Sequence, residues 1–434
     1  MPPENTADKP AQSSIPEIRV PGLLTLAGLI LGLALGLALS GTSLEARATA
    51  IATPIGELWL KALKMTILPL VAGLLFTGIV ETVGAARSGL MARRTLGFII
   101  GLLATSAILG AVLMPLLLGV FPAPHMSLGA TPALGGGPQP SAELPGIADF
   151  FDSLLASNIL AAASEDAMLP VVIFIALFAL GSTRLSEAPR RQLALLFEGL
   201  AGAMIVVIGW VLALAPLGVL GLGFTLGAGQ GVSAIGTLAH YIALVSCLGG
   251  VFLLGAYPLA VIVGKKRLAD FFRAMLPVQV VAISTQSSLA SLPSMLAACR
   301  KLDVAPATSE FVLPLAVTLF RATGPTMNMG VAIYAASLAG HELTAPALAA
   351  GALVAFLTTF GAVSLPGTIS FIASIGPIAV AMGVPLWPLG LLVAVEMLPD
   401  IMRTVGNVTM NVAVTSAVDG DRELHVEPET ATIH

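Results

Sequence analysis

Apolar residues run along this chain in long, nearly unbroken stretches. They lack the period of two of a half-buried strand and the 3.6-residue stripe of a surface helix. The stretches cover 21–40, 54–81, 95–121, 168–183, 196–226 and 238–264. A helix needs roughly 20 mostly apolar residues to cross a bilayer, so the pattern predicts spanning helices. Beyond 268 the pattern changes. Apolar runs continue, but Ser, Thr, Gly and Pro interrupt them in STQSSLASLPS (284–294), ATGPTMN (322–328) and GAVSLPGTIS (361–370).

The C-terminal third reads as one unit built twice. Residues 268–340 hold an interrupted apolar stretch, then a helix broken at Gly324-Pro325; residues 344–416 hold another interrupted stretch, then a further helix. The interruptions centre on Ser291-Leu292-Pro293 and on Ser364-Leu365-Pro366-Gly367, which leaves each side too short to cross. Two half-spans with a turn at the tip make a re-entrant hairpin. Backbone freed at such a tip must be buried in protein or line a watery cavity. Paired breaks in two halves point to a substrate site near the bilayer midplane. Ordinary spanning helices kinked by proline are the plainer alternative.

Composition agrees. Of 434 residues, 56% are hydrophobic and 10% charged, against about a quarter charged in soluble domains. The chain is read as an all-α polytopic membrane protein whose environment is the lipid bilayer. A net charge of −4 gives no sign of a nucleic-acid partner. Cys247 and Cys299 lie in or beside apolar segments and read as core packing. Residues 1–19 and 419–434 are polar and read as disordered tails, and the Gly/Pro-rich 122–148 as an external linker. Arg87, Arg93, Arg94, Arg184, Arg190, Arg191, Lys265, Lys266, Arg267 and Arg273 fall in alternate loops, while the intervening loops hold only Arg47. This asymmetry predicts a plasma (cytoplasmic) membrane protein with both termini in the cytoplasm.

One stretch, VEMLPDIMRTVGNV (395–408), places three charges inside an apolar helix. At 3.6 residues per turn, Glu396, Asp400, Arg403, Thr404, Asn407 and Asn411 share an arc of about 100°. A structural Asp400–Arg403 ion pair would not need the other polar residues on that face. Intramembrane charges mark substrate or ion paths. His125, His240 and His341 sit at span ends or loops, and no H-E-x-x-H spacing occurs, so an intramembrane enzyme is disfavoured. A channel would need a continuous polar pore, whereas polar residues here cluster at one depth.

Further motifs accompany these: KALKMTILPLV (61–71), SNILAAASEDAMLPVVIFIALFALG (157–181), LAPLGV (214–219), QSSLASLP (286–293), FVLPLAVT (311–318), SLPG (364–367) and DIMRTVGNVT (400–409). In order and spacing the chain resembles the dicarboxylate/amino acid:cation symporters, the glutamate transporter family, from about residue 21 to 416. The resemblance implies eight transmembrane helices plus two re-entrant helical hairpins, a homotrimer, and elevator movement of a transport domain against a scaffold. Residues 20–264 would carry helices one to six, scaffold plus part of the transport domain. Residues 265–418 would be the transport core, with the second hairpin as the extracellular gate.

By resemblance, Arg403 would hold a side-chain carboxylate of a small anionic substrate, for which its planar fork suits it. Asp400 would hold the ammonium, Thr404 and Asn407 further polar groups, and Ser287 and Ser288 the α-carboxylate, with Pro366 and Gly367 at the second tip. Taken alone, the serines also read as an ordinary tip turn. Thr105 and Ser106 match the family's cation ligands. Two carboxylates that would ligate sodium do not: Ala322 and Asn411 stand there, and Arg321 takes the place beside Ala322. No cofactor is expected. Arg321 is read as a tethered stand-in for a cation, pairing with Glu396 or Asp400, unless it points to a water-filled crevice. Coupling would then use a proton on Glu396 rather than Na+, or transport would be plain exchange. The predicted function is secondary transport of acidic amino acids such as aspartate or glutamate. A C4-dicarboxylate carrier is the alternative, although Asp400 would repel a doubly anionic ligand.

Overall fold

The computed structural model describes residues 22–87, 89–123, 154–165, 167–230, 233–360 and 367–420. All regular structure among them is helical. The first half contains α1 (Gly22–Leu39), α2 (Glu45–Ala86), α3 (Leu90–Val120), the short α4 (Ile159–Ser164), α5 (Met168–Ser182), α6 (Glu187–Ala213), α7 (Ala215–Gln230) and α8 (Ser233–Pro258), which ends in a π-helical turn, Leu259–Val263. The second half contains α9 (Leu268–Thr285), α10 (Leu292–Lys301), α11 (Pro306–Leu319), α12 (Gly324–Leu338), α13 (Ala345–Thr359), α14 (Gly367–Ala381), α15 (Trp387–Leu392) and α16 (Met397–Asp419). Among the described residues, five helical segments are long and apolar enough to cross a membrane: α2, α3, α6, α8 with its π turn, and α9. Shorter apolar helices accompany them.

The apolar stretch 196–226 is not one straight span. The rod runs from Glu187 to Gln230 and bends at Leu214, just before Pro216. It lies antiparallel to α2: a Cβ on Gly73 would meet Ala201, and Trp59 and Gly56 of α2 face Gly218 and Leu222. α1 packs parallel to α7. Gly28, Gly32 and Gly36 bring its backbone against the carbonyls of Pro216, Leu220 and Phe224. Small residues at every fourth position permit this approach, which in lipid must be earned by close packing.

The second half shows the repeat read from the sequence, with adjusted boundaries. α9 ends at Gln286, whose left-handed φ of 49° turns the chain. It has 18 residues, so it is not too short to cross, and the hairpin is asymmetric, because α10 has only 10. Pro293 lies at the start of α10, where its missing N–H is not needed. The same applies to Pro325: the helix break lies at Phe320–Thr323, just ahead of it. The corresponding break between α15 and α16 is milder. Bonds from the N–H of Ala394, Val395 and Glu396 reach only three residues back, a 3₁₀-type tightening. Every residue from Arg403 to Val418 is buried, so α16 is a central helix enclosed on all sides rather than one with a single polar face.

Two sequence readings change. Asp419 belongs to α16 rather than to a tail: it accepts from Ala305 N–H at 3.0 Å and pairs with Lys266 at 3.7 Å. Cys299 is buried, but Cys247 is exposed, because α8 buries the face carrying Tyr241, Leu244, Val245, Leu248 and Phe252. The tails at 1–19 and 421–434, most of the 122–148 linker, and Pro366 lie outside the described residues.

Candidate functional site

The polar residues of α16 meet the break between α11 and α12 and the buried face of α8. At Phe320–Thr323 the helix unwinds, and the freed backbone groups need partners where water is absent. Side chains supply them from both sides. Ser106 Oγ donates to Ala322 O at 2.7 Å and accepts from Thr326 N–H at 3.1 Å. Thr326 Oγ1 donates back to Ser106 O at 2.6 Å. Opposite, Asn407 Oδ1 accepts from Thr323 N–H and from Thr323 Oγ1, each at 3.0 Å. α3 and α16 thus clamp the break between them.

Arg403, one turn before Asn407, forms the centre of the charged cluster. Its Nη2 donates to Glu396 Oε1 at 2.6 Å and its Nη1 to Asn328 Oδ1 at 2.5 Å. Its Nε lies 3.2 Å from Asp400 Oδ1, an ion pair without hydrogen-bond alignment. Glu396 is enclosed, and its second oxygen accepts from Tyr241 Oη at 2.8 Å. Tyr241 packs against Tyr334, with ring centroids 5.4 Å apart. Tyr334 Oη donates to Thr237 O and lies 3.0 Å from His240 Nδ1.

Glu396, Asp400, Arg403 and Asn407 are therefore brought together as the sequence suggested. Thr404 Oγ1 turns back to Asp400 O within its own helix. Ser287 and Ser288 lie half-buried in the turn between α9 and α10. Ser287 Oγ accepts from Ala290 N–H there, a bond that orders the tip. Gly367 opens α14. Arg321 lies in the break, within electrostatic range of Asp400 and Arg403. Of the two partners expected for Arg321, Asp400 lies within its electrostatic range, while the Glu396 oxygens are bonded to Arg403 and Tyr241.

The cation candidates separate. Thr105 is exposed, with its hydroxyl bonded to Gly101 O. Ser106 is committed to the clamp. Asn411 is fully buried, and neither its Oδ1 nor its Nδ2 has a partner among the described residues. The helix-break backbone, Ser106 and Asn411 offer neutral oxygens only, and among the described residues no group of three His, Cys, Asp or Glu gathers. The donor set does not fit a sodium ion held by two carboxylates.

Tyr241, Asn328, Thr323 and Thr326 belong to this site but were not singled out from the sequence. One signal existed: the chain has three tyrosines, and two of them meet here. His240, read as a residue at a span end, lies inside α8 against this cluster.

The chain resembles the proton/sodium-glutamate symport protein of Bacillus subtilis (strain 168), with 27% identity over 88% of each chain. It is 26% identical to the proton/glutamate-aspartate symporter of Escherichia coli (strain K12), over 83% of this chain and 82% of that protein. It is 24% identical to the C4-dicarboxylate transport protein of Laribacter hongkongensis (strain HLHK9), over 86% of each. The family model described as the sodium:dicarboxylate symporter family matches residues 22–420, which take in every helix of the clamp and the charged cluster. With its apolar helices gathered around a buried polar centre, the chain belongs to the sodium:dicarboxylate symporter family.

Proposed function

We propose that this protein is a secondary symporter for acidic amino acids such as aspartate or glutamate. The observation that carries the substrate class is the Asp400–Arg403 pair, a carboxylate and a guanidinium one turn apart on a buried helix. A dicarboxylate needs cationic partners only, and Asp400 would repel it. An α-amino diacid brings an ammonium that satisfies Asp400, while Arg403 takes the side-chain carboxylate. Ser287 and Ser288, with the tip amides, take the α-carboxylate. Thr404 and Asn407 complete the lining, and Pro366 and Gly367 close it from the second tip.

The fold reading that accompanies this is eight spanning helices with α9–α10 and α13–α14 as re-entrant hairpins. The subunits form a homotrimer in the plasma membrane, and an elevator movement carries the transport core. The paired broken helices support it, because they place irregular backbone inside protein. The resemblance to a C4-dicarboxylate transport protein favours the second reading, a dicarboxylate carrier.

The test compares Asp400→Asn with the unmodified protein for aspartate, glutamate, succinate and malate binding. Asp400→Asn should weaken the amino acids by at least about tenfold, a loss of about 1.4 kcal/mol, and spare succinate and malate. Unchanged aspartate affinity, or stronger binding of succinate than of aspartate by the unmodified protein, would reject the amino-acid assignment.

A further inference from the structure

α9 keeps one face uncovered. Its inward face, with Phe271, Met275, Val278 and Ala282, packs against α10, α16 and the end of α8. On the other side Leu268, Phe272, Leu276, Val280 and Ile283 are each 45–61% exposed. At about 100° per residue from Leu268, these five fall within an arc of about 120°. They form an apolar stripe along nearly the whole helix. On a helix apolar enough to cross a membrane, such a stripe stands against acyl chains.

One end of the stripe carries charge. Lys265 and Arg267 precede the helix, and Arg273 lies in its second turn; all three are exposed. Arg273 falls at about 140° on the same scale, at the edge of the stripe. Helix side chains point back towards the N-terminus, so Arg273 reaches towards Lys265 and Arg267. These charges are not neutralised inside the protein. Lys265 donates to a neutral carbonyl, Gly420 O. The Arg267–Asp270 pair is loose, at 3.9 Å with side chains 90% and 51% exposed. Lys266, by contrast, is largely buried and committed to Asp419. Three cations against Asp270 leave an excess of two positive charges, and the neighbouring loop does not offset it, since Arg300 and Lys301 there face Asp303 and Glu310.

We infer that α9 binds an anionic phospholipid of the cytoplasmic leaflet: the phosphate sits among Lys265, Arg267 and Arg273, and the acyl chains lie along the stripe from Leu268 to Ile283. The leaflet follows from the orientation read from the basic loops. A guanidinium fork suits paired phosphate oxygens. Each juxtamembrane cation strengthens the hold on an anionic headgroup about fivefold. The acidic segment 421–434 follows Gly420 at this end and offers carboxylates to the same cations. Its only large apolar residues are Leu424, Val426 and Ile433, so it does not match the stripe. A phospholipid matches both the charge and the stripe. The site lies on the face of α9 turned away from α16 and does not depend on the substrate assignment.

Binding of radiolabelled phosphatidylglycerol to the purified full chain in detergent micelles tests this, whatever the orientation in the membrane. Unlabelled phosphatidylglycerol should displace the label, and phosphatidylcholine, which has no net charge, should do so at least about tenfold less well. Arg267→Gln and Arg273→Gln should each weaken binding about fivefold. Leu276→Ala/Val280→Ala should weaken it too, through the acyl chains. Arg184→Gln/Arg191→Gln removes two exposed cations from the same end of the molecule and should leave binding unchanged. Equal displacement by the two lipids would overturn the inference, and so would an equal loss in Arg184→Gln/Arg191→Gln, because any cation at that end would then serve. Inorganic phosphate displacing the label as well as the lipid does would overturn it in favour of a free-anion site. Lipid bound only after Asp421, Glu423, Glu427 and Glu429 are neutralised would give the cations to that segment and overturn it. A disulfide between two copies through Phe272→Cys, in a Cys247→Ser background, would put a second copy on the stripe and overturn it as well.

Discussion

Arg403 shows how one residue serves both stability and selectivity. It is 6% exposed and bonded on both terminal nitrogens, so its charge is held by partners rather than by water. Removing one member of a buried ion pair leaves the other uncompensated, which costs about 3–5 kcal/mol. Arg403→Cys should therefore abolish acidic-substrate uptake while admitting small neutral amino acids, for which no guanidinium is needed. Uptake of labelled aspartate and of labelled serine or alanine by one preparation checks this. Retained aspartate uptake would remove Arg403 from the site. The residue scale is also where sequence reasoning ran short. Glu396, Asp400 and Arg403 were conspicuous because charges are rare in an apolar helix. Asn328 and Tyr241 were not, because single polar residues on different helices leave no periodic trace. Only the fold shows that Asn328 reaches Arg403 and that Tyr241 reaches Glu396.

At the scale of elements, the break between α11 and α12 depends on its clamp. Ser106 satisfies Ala322 O and Thr326 N–H together and is itself fully buried. Leaving a buried backbone group unpaired costs about 1–3 kcal/mol. Ser106→Ala should lower the melting temperature in detergent and weaken substrate binding through the displaced break, whereas Thr105→Ala, at an exposed position on the same turn of α3, should leave the melting temperature unchanged. Equal melting temperatures for Ser106→Ala and the unmodified protein would mean that the clamp carries no stability. Element existence was legible in the sequence, because lipid demands long apolar runs and forbids unsatisfied backbone. Element boundaries were less so. Proline marks where a helix can begin as well as where one breaks, and Pro293 and Pro325 both lie in first turns. The bend at Leu214 escaped notice because hydrophobicity is continuous across it and only packing against α1 and α2 distinguishes the two sides.

At the scale of the whole molecule, the basic residues can be followed from helix to helix. Arg87, just after α2, donates to Thr183 O at the end of α5, so the ends of α2 and α5 lie together. The rod of α6 and α7 then crosses back along α2, and α8 returns to the first side. At its end Lys265 donates to Gly420 O and Lys266 pairs with Asp419, which fixes the end of α16 there as well. Lys266 also donates to Asp303 O beyond α10. The sequence asymmetry in Lys and Arg thus becomes one basic end, facing an end whose loops at 40–44, 121–158 and 231–232 hold no Lys or Arg, with Arg47 in the first turn of α2. Short basic loops stay cytoplasmic. Cysteines introduced at Arg87, Arg184 and Lys265 should accordingly react with a membrane-impermeant thiol reagent only from the cytoplasmic side, and those at Gly135 and Gln230 only from outside. The background needs Cys247→Ser, because Cys247 is exposed on α8. Labelling at Gly135 from the cytoplasm alone would invert the orientation. Labelling of Lys265 and Arg87 from opposite sides would contradict the helix path itself.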